Sequence, residues 1–239
     1  MAGDTMIKIS AILFDKDGTL LDFDKSWEPV NRRATLFAAD GDELLADRLM
    51  VICGMDPKTG KVSSGSLFAA AASSEIAEAM SRAGSPYDAD ELTRLLDGIF
   101  LEGAEKSVPV TDLQALFLRL KARGLKLGIA SSDNEASIRK MAERQHILPL
   151  LDYIAGYDSG HGVKPGPGMI DGFAASQGLN VAEIMMVGDN THDLHMAHTA
   201  KAGLAVGVLT GTSGRSALES DADHILASVE DLEALLDRI

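Results

Sequence analysis

Two acid pairs carry the chemical interest of this 239-residue sequence: Asp15-Lys16-Asp17-Gly18-Thr19-Leu20 near its start and Gly188-Asp189-Asn190-Thr191-His192-Asp193 far along it. Each pair follows a short apolar run, so each is expected at a strand end. Carboxylates crowded at one edge of a sheet repel unless a cation neutralises them. Hard oxygen ligands suit magnesium, which takes one or two carboxylates and keeps waters for a phosphate-bearing substrate. A calcium loop fails: counted from Asp15, its glycine and glutamate positions are Leu20 and Ser26. Taken alone, Asp-x-Asp-Gly is equally a solvated turn, and the chemistry needs partners.

Two further segments supply them. Ser131-Ser132-Asp133-Asn134 puts a hydroxyl between an apolar run and a helix start, where backbone N–H groups favour an anion, although the same residues could simply cap that helix. Val163-Lys164-Pro165-Gly166 presents one ammonium from a rigid turn, although a lone lysine is usually solvated. Together the four segments make sense. Carboxylates bind the metal, metal and lysine neutralise a phosphoryl group, the serine hydroxyl hydrogen-bonds it, and a remaining carboxylate attacks it.

Other motifs fall away. Gly54–Lys61 has one residue too many for a P-loop and Val62 where Ser or Thr is required, and Gly166-Pro167-Gly168 lacks the third glycine of a dinucleotide fingerprint, with Asp171 in its place. His192, His195 and His198 do not form a His-Glu-x-x-His face and read as surface or packing residues.

The elements that must position these residues follow from the apolar pattern. Strands are expected at Ile7–Phe14, Leu125–Ala130, Tyr153–Gly156, Ile184–Val187, Leu204–Leu209 and His224–Leu226. Helix-length stretches alternate with them after residue 108, one of them Asp112–Arg123, opened by a capping box at Thr111–Gln114. That alternation implies an α/β fold: a parallel sheet with helices on both faces and ligands at the strands' carboxyl ends. The segment from Asp22 to Ser107 has helical periodicity and no convincing strand, with helices expected at Ser26–Ala39, Glu43–Ile52, Leu67–Arg82 and Ala89–Phe100. It is expected to be an insertion lying over a strand end.

Composition narrows the function classes. With 36 acidic against 22 basic residues, a net charge of −14 repels nucleic acid and anionic lipid, so neither is an expected partner. The one cysteine, Cys53, cannot form an intrachain disulfide and no Cys cluster can hold zinc, which fits a reducing cytoplasm. Met1 to Ser10 does not resemble a signal peptide, and no window is apolar enough for a membrane span. Oligomeric state is not legible.

The motifs Asp15-x-Asp17-Gly18-Thr19, Ser131, Lys164-Pro165 and Gly188-Asp189-x-x-x-Asp193, in that order, resemble the four motifs of the haloacid dehalogenase superfamily, most nearly its phosphoglycolate phosphatase-like branch. The resemblance implies a Rossmann-like three-layer core of residues 1–21 and 108–239, with an inserted all-helical cap of residues 22–107. It implies that Asp15 is the nucleophile forming an aspartyl-phosphate, and that Asp17 protonates the leaving oxygen and then activates water. Ser131 and Lys164 would hold the phosphoryl oxygens, with Ser132, Gly18 and Thr19 assisting. Asp15, the Asp17 carbonyl and Asp189 would bind Mg²⁺, with Asp193 and Asn190 orienting groups around them. Dehalogenases of this family lack the second acid, so Asp17 favours phosphoryl transfer. The implied enzyme is a Mg²⁺-dependent phosphatase of a small phosphate ester. The rivals are a phosphosugar mutase on the same scaffold and a non-catalytic phosphoryl-binding protein. Asp24, Trp27, Arg32, Arg33, Lys58 and Lys61 are the residues of the insertion that could face a substrate, and sequence alone does not say which turn inward.

Overall fold

The structure, a computed structural model, describes residues 8–239. Six apolar runs form strands: β1 (Ala11–Phe14), β2 (Lys126–Ala130), β3 (Tyr153–Ala155), β4 (Ile184–Gly188), β5 (Leu204–Val208) and β6 (His224–Leu226). They pair in parallel in the order β3-β2-β1-β4-β5-β6. Strands buried on both faces read as continuous apolar runs, which is why they stood out in the sequence. The expected beginning of the first strand at Ile7 lies outside the described residues, and its pairing starts at Ala11.

Between β1 and β2 lie α1 (Phe23–Ala38), α2 (Glu43–Ile52), α3 (Leu67–Ala70), α4 (Ser73–Arg82), α5 (Ala89–Ala104) and α6 (Leu113–Ala122). One helix follows each later strand: α7 (Glu135–Arg144), α8 (Gly168–Gln177), α9 (Thr191–Ala200), α10 (Arg215–Leu218) and α11 (Leu232–Leu236). The pleat of β1 sends Ile12 and Phe14 to one face, where they pack with α6, α7 and α11, and Ala11 and Leu13 to the other, against α8, α9 and α10. The result is a three-layer α/β fold. Helices α1, α2, α4 and α5 gather a third apolar cluster of their own, centred on Leu49, Met80, Leu92 and Leu96. No helix among the described residues is long and apolar enough to cross a membrane.

Several boundaries differ from the sequence pattern for identifiable reasons. Helix α1 starts at Phe23, not Ser26, because the Asp22 carboxylate accepts from the Lys25 N–H at 3.1 Å and caps it there. Helix α6 is capped by Asp112, whose side chain accepts from the Ala115 N–H, while the Thr111 hydroxyl is taken by Glu230 at 2.8 Å. The single helix expected over Leu67–Arg82 breaks at Ala71 and Ala72, both extended with ψ 158°. Alanine favours helix, but tertiary bonds win: the Glu75 carboxylate accepts from the Ala72 N–H at 3.0 Å, and the Ala70 carbonyl accepts from the Ser132 hydroxyl at 2.8 Å.

Candidate active site

The strand order reverses between β1 and β4, the kind of switch point at which α/β sheets bind ligands. Phe14 lies beside Val187 in register, and the Asp15 N–H donates to the Val187 carbonyl at 2.8 Å. Asp15 and Asp189, each the residue after its strand, are thereby brought together. Asp193 joins them from the first turn of α9, where its carboxylate also accepts from the Asn190 N–H at 3.1 Å. Oxygen atoms of Asp15, Asp189 and Asp193 lie within 4.8 Å of one another.

Lys164 reaches this cluster from the loop before α8. Its ammonium donates to Asp15 Oδ1 at 2.5 Å and to Asp193 Oδ1 at 2.6 Å, and the residue is only 8% exposed. The ordinary solvated lysine is therefore excluded at this position. Burial alone would lower its pKa, but Asp15 and Asp193 outweigh that and raise it, so the ammonium stays charged.

Asp17 faces a different set of partners. It accepts from the Trp27 indole N–H at 2.5 Å and from the Lys16 ammonium at 2.7 Å. Lys16 has no accessible surface, lies 3.0 Å from Asp133, and sits 4.7 Å from the centroid of the Trp27 ring. Trp27 belongs to α1, so the helical segment touches the site directly. Sequence reasoning assigned no part to Lys16 or Asp133. A lysine between two acids reads as a solvated charge in sequence, and only the fold shows that it is covered.

The remaining expected residues divide. Ser131 is buried, its Oγ accepts from the Asp133 N–H at 3.1 Å, and it does not line the cleft; Ser132 does. Asn190 also lines the cleft, with its oxygen capping α9 at the His192 N–H and its amide nitrogen buried without a partner. Gly18 and Thr19 lie behind the carboxylates. Gly18 has φ +87°, and a Cβ there would lie 2.7 Å from the Asp189 carboxylate, so only glycine leaves Asp189 its place. Thr19 Oγ1 is 3.5 Å from Asp189, and the Thr212 N–H donates to the same carboxylate at 2.9 Å.

A cleft opens above these groups, between the sheet edge and the helical segment. Five carboxylates, Asp15, Asp17, Asp133, Asp189 and Asp193, line it. Burial, partly offset by the charge of Lys16 and reinforced by Asp133 and Asp15, pushes Asp17 up to about 6. Asp193 is likewise pushed up to about 6 by burial, with Lys164 opposing and Asp15 adding. Asp189 is raised well above the usual carboxylate range by burial and by Asp15 and Asp193. Carboxylate oxygens gathered this closely fit a hard divalent cation, for which Asp15, Asp189 and the Asp17 carbonyl are the expected ligands. Of the residues of the helical segment expected to face a substrate, Trp27 lines the cleft, whereas Asp24, Arg32, Arg33, Lys58 and Lys61 do not.

Sheet order and site together define an α/β protein with a buried acidic centre at a strand switch point, where Asp15 after β1 and Asp193 on α9 share one buried ammonium. The family model described as "haloacid dehalogenase-like hydrolase" matches residues 9–201, and the chain belongs to that family. The chain is 28% identical over 128 residues to a phosphoglycolate phosphatase of Neisseria meningitidis, covering 52% of this chain and 54% of that protein. It is 29% identical over 113 residues to the Neisseria gonorrhoeae phosphoglycolate phosphatase, covering 47% and 48%. The chain thus spans about half the length of the curated relatives it matches. Among solved structures, a hydrolase from Pseudomonas syringae superposes with TM-score 0.71 at 22% identity, covering 97% of this chain and 99% of that one. A β-phosphoglucomutase from Clostridium difficile superposes with TM-score 0.68 at 16% identity, covering 96% of both. At these identities the two structures share the fold.

Proposed function

We propose that the protein is a Mg²⁺-dependent phosphomonoesterase acting on a small phosphate ester. The observation that carries this reading is the Lys164 ammonium shared by Asp15 and Asp193 beside Asp189, with Asp17 facing the same cleft. A carboxylate is a poor nucleophile towards a dianionic phosphate, so the site must cancel charge. Lys164 supplies part of that, and Mg²⁺ held by Asp15, Asp189 and the Asp17 carbonyl would supply electrostatic stabilisation of the phosphoryl oxygens.

In the first step an Asp15 oxygen bonds to phosphorus, the ester P–O bond breaks, and Asp17 gives its proton to the departing alcohol oxygen. An Asp17 pKa near 6 is close to neutral, as a group that must give and regain a proton requires. In the second step Asp17 takes a proton from water, the water oxygen bonds to phosphorus, and the bond to Asp15 breaks to release phosphate. Ser132, which lines the cleft, is placed to hold a phosphoryl oxygen, with Ser131 buried behind it, and Asp193 keeps Lys164 in place.

The chain enters and leaves the helical segment side by side, with the Asp22 N–H donating to the Val108 carbonyl at 2.9 Å and the Val110 N–H to the Leu20 carbonyl at 3.0 Å. This supports a core of residues 1–21 and 108–239 and a cap of residues 22–107. The cap's work is to exclude water from the aspartyl-phosphate. Phosphate release from a panel of small esters, with Mg²⁺ and with EDTA, tests the reading. Turnover that requires Mg²⁺ supports it, and isomerised sugar phosphate without free phosphate would instead mean a mutase.

A further inference from the structure

The half of the cleft that would receive the alcohol is chemically one-sided. Phe23, Trp27, Phe68, Ile76 and Phe100 of the helical segment form its wall. Among the described residues, no cation of that segment lines it. Arg32 is turned to Glu28 at 2.5 Å and to the Pro57 carbonyl at 2.9 Å, and Arg33 to Glu102. Lys164 lines the floor, where its ammonium is already shared by two carboxylates. Among the described residues, the buried polar groups of the wall without a hydrogen bond are Ser73 Oγ and Asn31 Nδ2. Asn31 is 2% exposed and lines the cleft, and its Nδ2 makes no hydrogen bond. A buried donor without a partner is costly until a ligand accepts from it.

Resting on the phosphomonoesterase reading, we propose that the substrate is the phosphate ester of an uncharged, mainly apolar alcohol carrying one oxygen acceptor, which Asn31 binds. A carboxylated alcohol such as glycolate is a poor fit. Its second anion would lose water against an aromatic wall and meet a cleft already lined by five carboxylates.

The test is kcat/KM for 2-phosphoglycolate, its uncharged amide, 2-methoxyethyl phosphate and n-butyl phosphate, with p-nitrophenyl phosphate as the reference ester. The amide and the methoxyethyl ester are expected to exceed 2-phosphoglycolate by at least about tenfold. Asn31→Leu is expected to raise KM for the methoxyethyl ester about tenfold and for the isosteric butyl ester by clearly less. If Asn31→Leu does not fold, Asn31→Ser is compared on the same two esters. Equal or better use of 2-phosphoglycolate, or an equal effect of the substitution on both esters, overturns the inference and leaves the phosphatase reading standing. No phosphate from any ester, the aryl reference included, removes both.

Discussion

Lys16 has no accessible surface and is still charged, its ammonium 2.7 Å from Asp17 and 3.0 Å from Asp133 beneath the Trp27 ring. Removing one partner of such a buried set leaves two carboxylates uncompensated. Lys16→Met should therefore cost about 3 kcal/mol or more of stability, measured by urea unfolding. If Lys16 also holds Asp17 in place as the acid, the variant should lose at least about tenfold more activity on alkyl esters than on p-nitrophenyl phosphate, whose leaving group needs little protonation. Equal losses on both would reduce Lys16 to a packing residue. At this scale the sequence was unevenly informative. Asp15, Asp17, Lys164, Asp189 and Asp193 were legible because the four segments, each ambiguous alone, complete one another's chemistry in order along the chain. Lys16 and Asp133 were not, because they meet only in the fold, where Trp27 covers the Lys16 ammonium. Phe68 and Ile76 were hidden for the opposite reason, since apolar residues at helical spacing look the same whether they face a core or a cleft.

Helices and strands were read from the sequence with few errors of type and with displaced ends. The strand positions were legible because parallel strands are apolar on both faces. The break between α3 and α4 was not, since it depends on Ser132 of the core holding the Ala70 carbonyl. That contact matters for the site, because Ala69, Ala70 and Ala71 at the broken end line the cleft. The helical segment also carries its own reporter. Cys53 caps α2, has no accessible surface, and is pushed up to about 12 by burial. At pH 8 its thiol should resist iodoacetamide in the folded protein and react on the unfolding timescale in urea, followed by mass spectrometry. Rapid alkylation under native conditions would mean that α1, α2 and α4 do not stay packed around it.

The whole molecule joins two arrangements that the chain keeps apart in sequence. The sheet order sets Asp15 and Asp189 side by side although more than half the chain lies between them, and the pass at Leu20–Asp22 against Val108–Val110 lets the helical segment leave and return at one point. The acids form a cluster that could hold a cation, and in the proposed reaction Trp27 and the apolar wall above them would shield a reactive intermediate from water. The central claim is that Asp15 itself carries the phosphoryl group between the two steps. The most direct test is to quench the reaction in acid within a single turnover and locate covalent phosphate by peptide mass spectrometry, in the wild type and in Asp15→Asn. The expected result is phosphate on Asp15, with no phosphoenzyme and at least about 10⁴-fold less turnover in the variant. Phosphate trapped on another residue, or on the variant, would contradict the account.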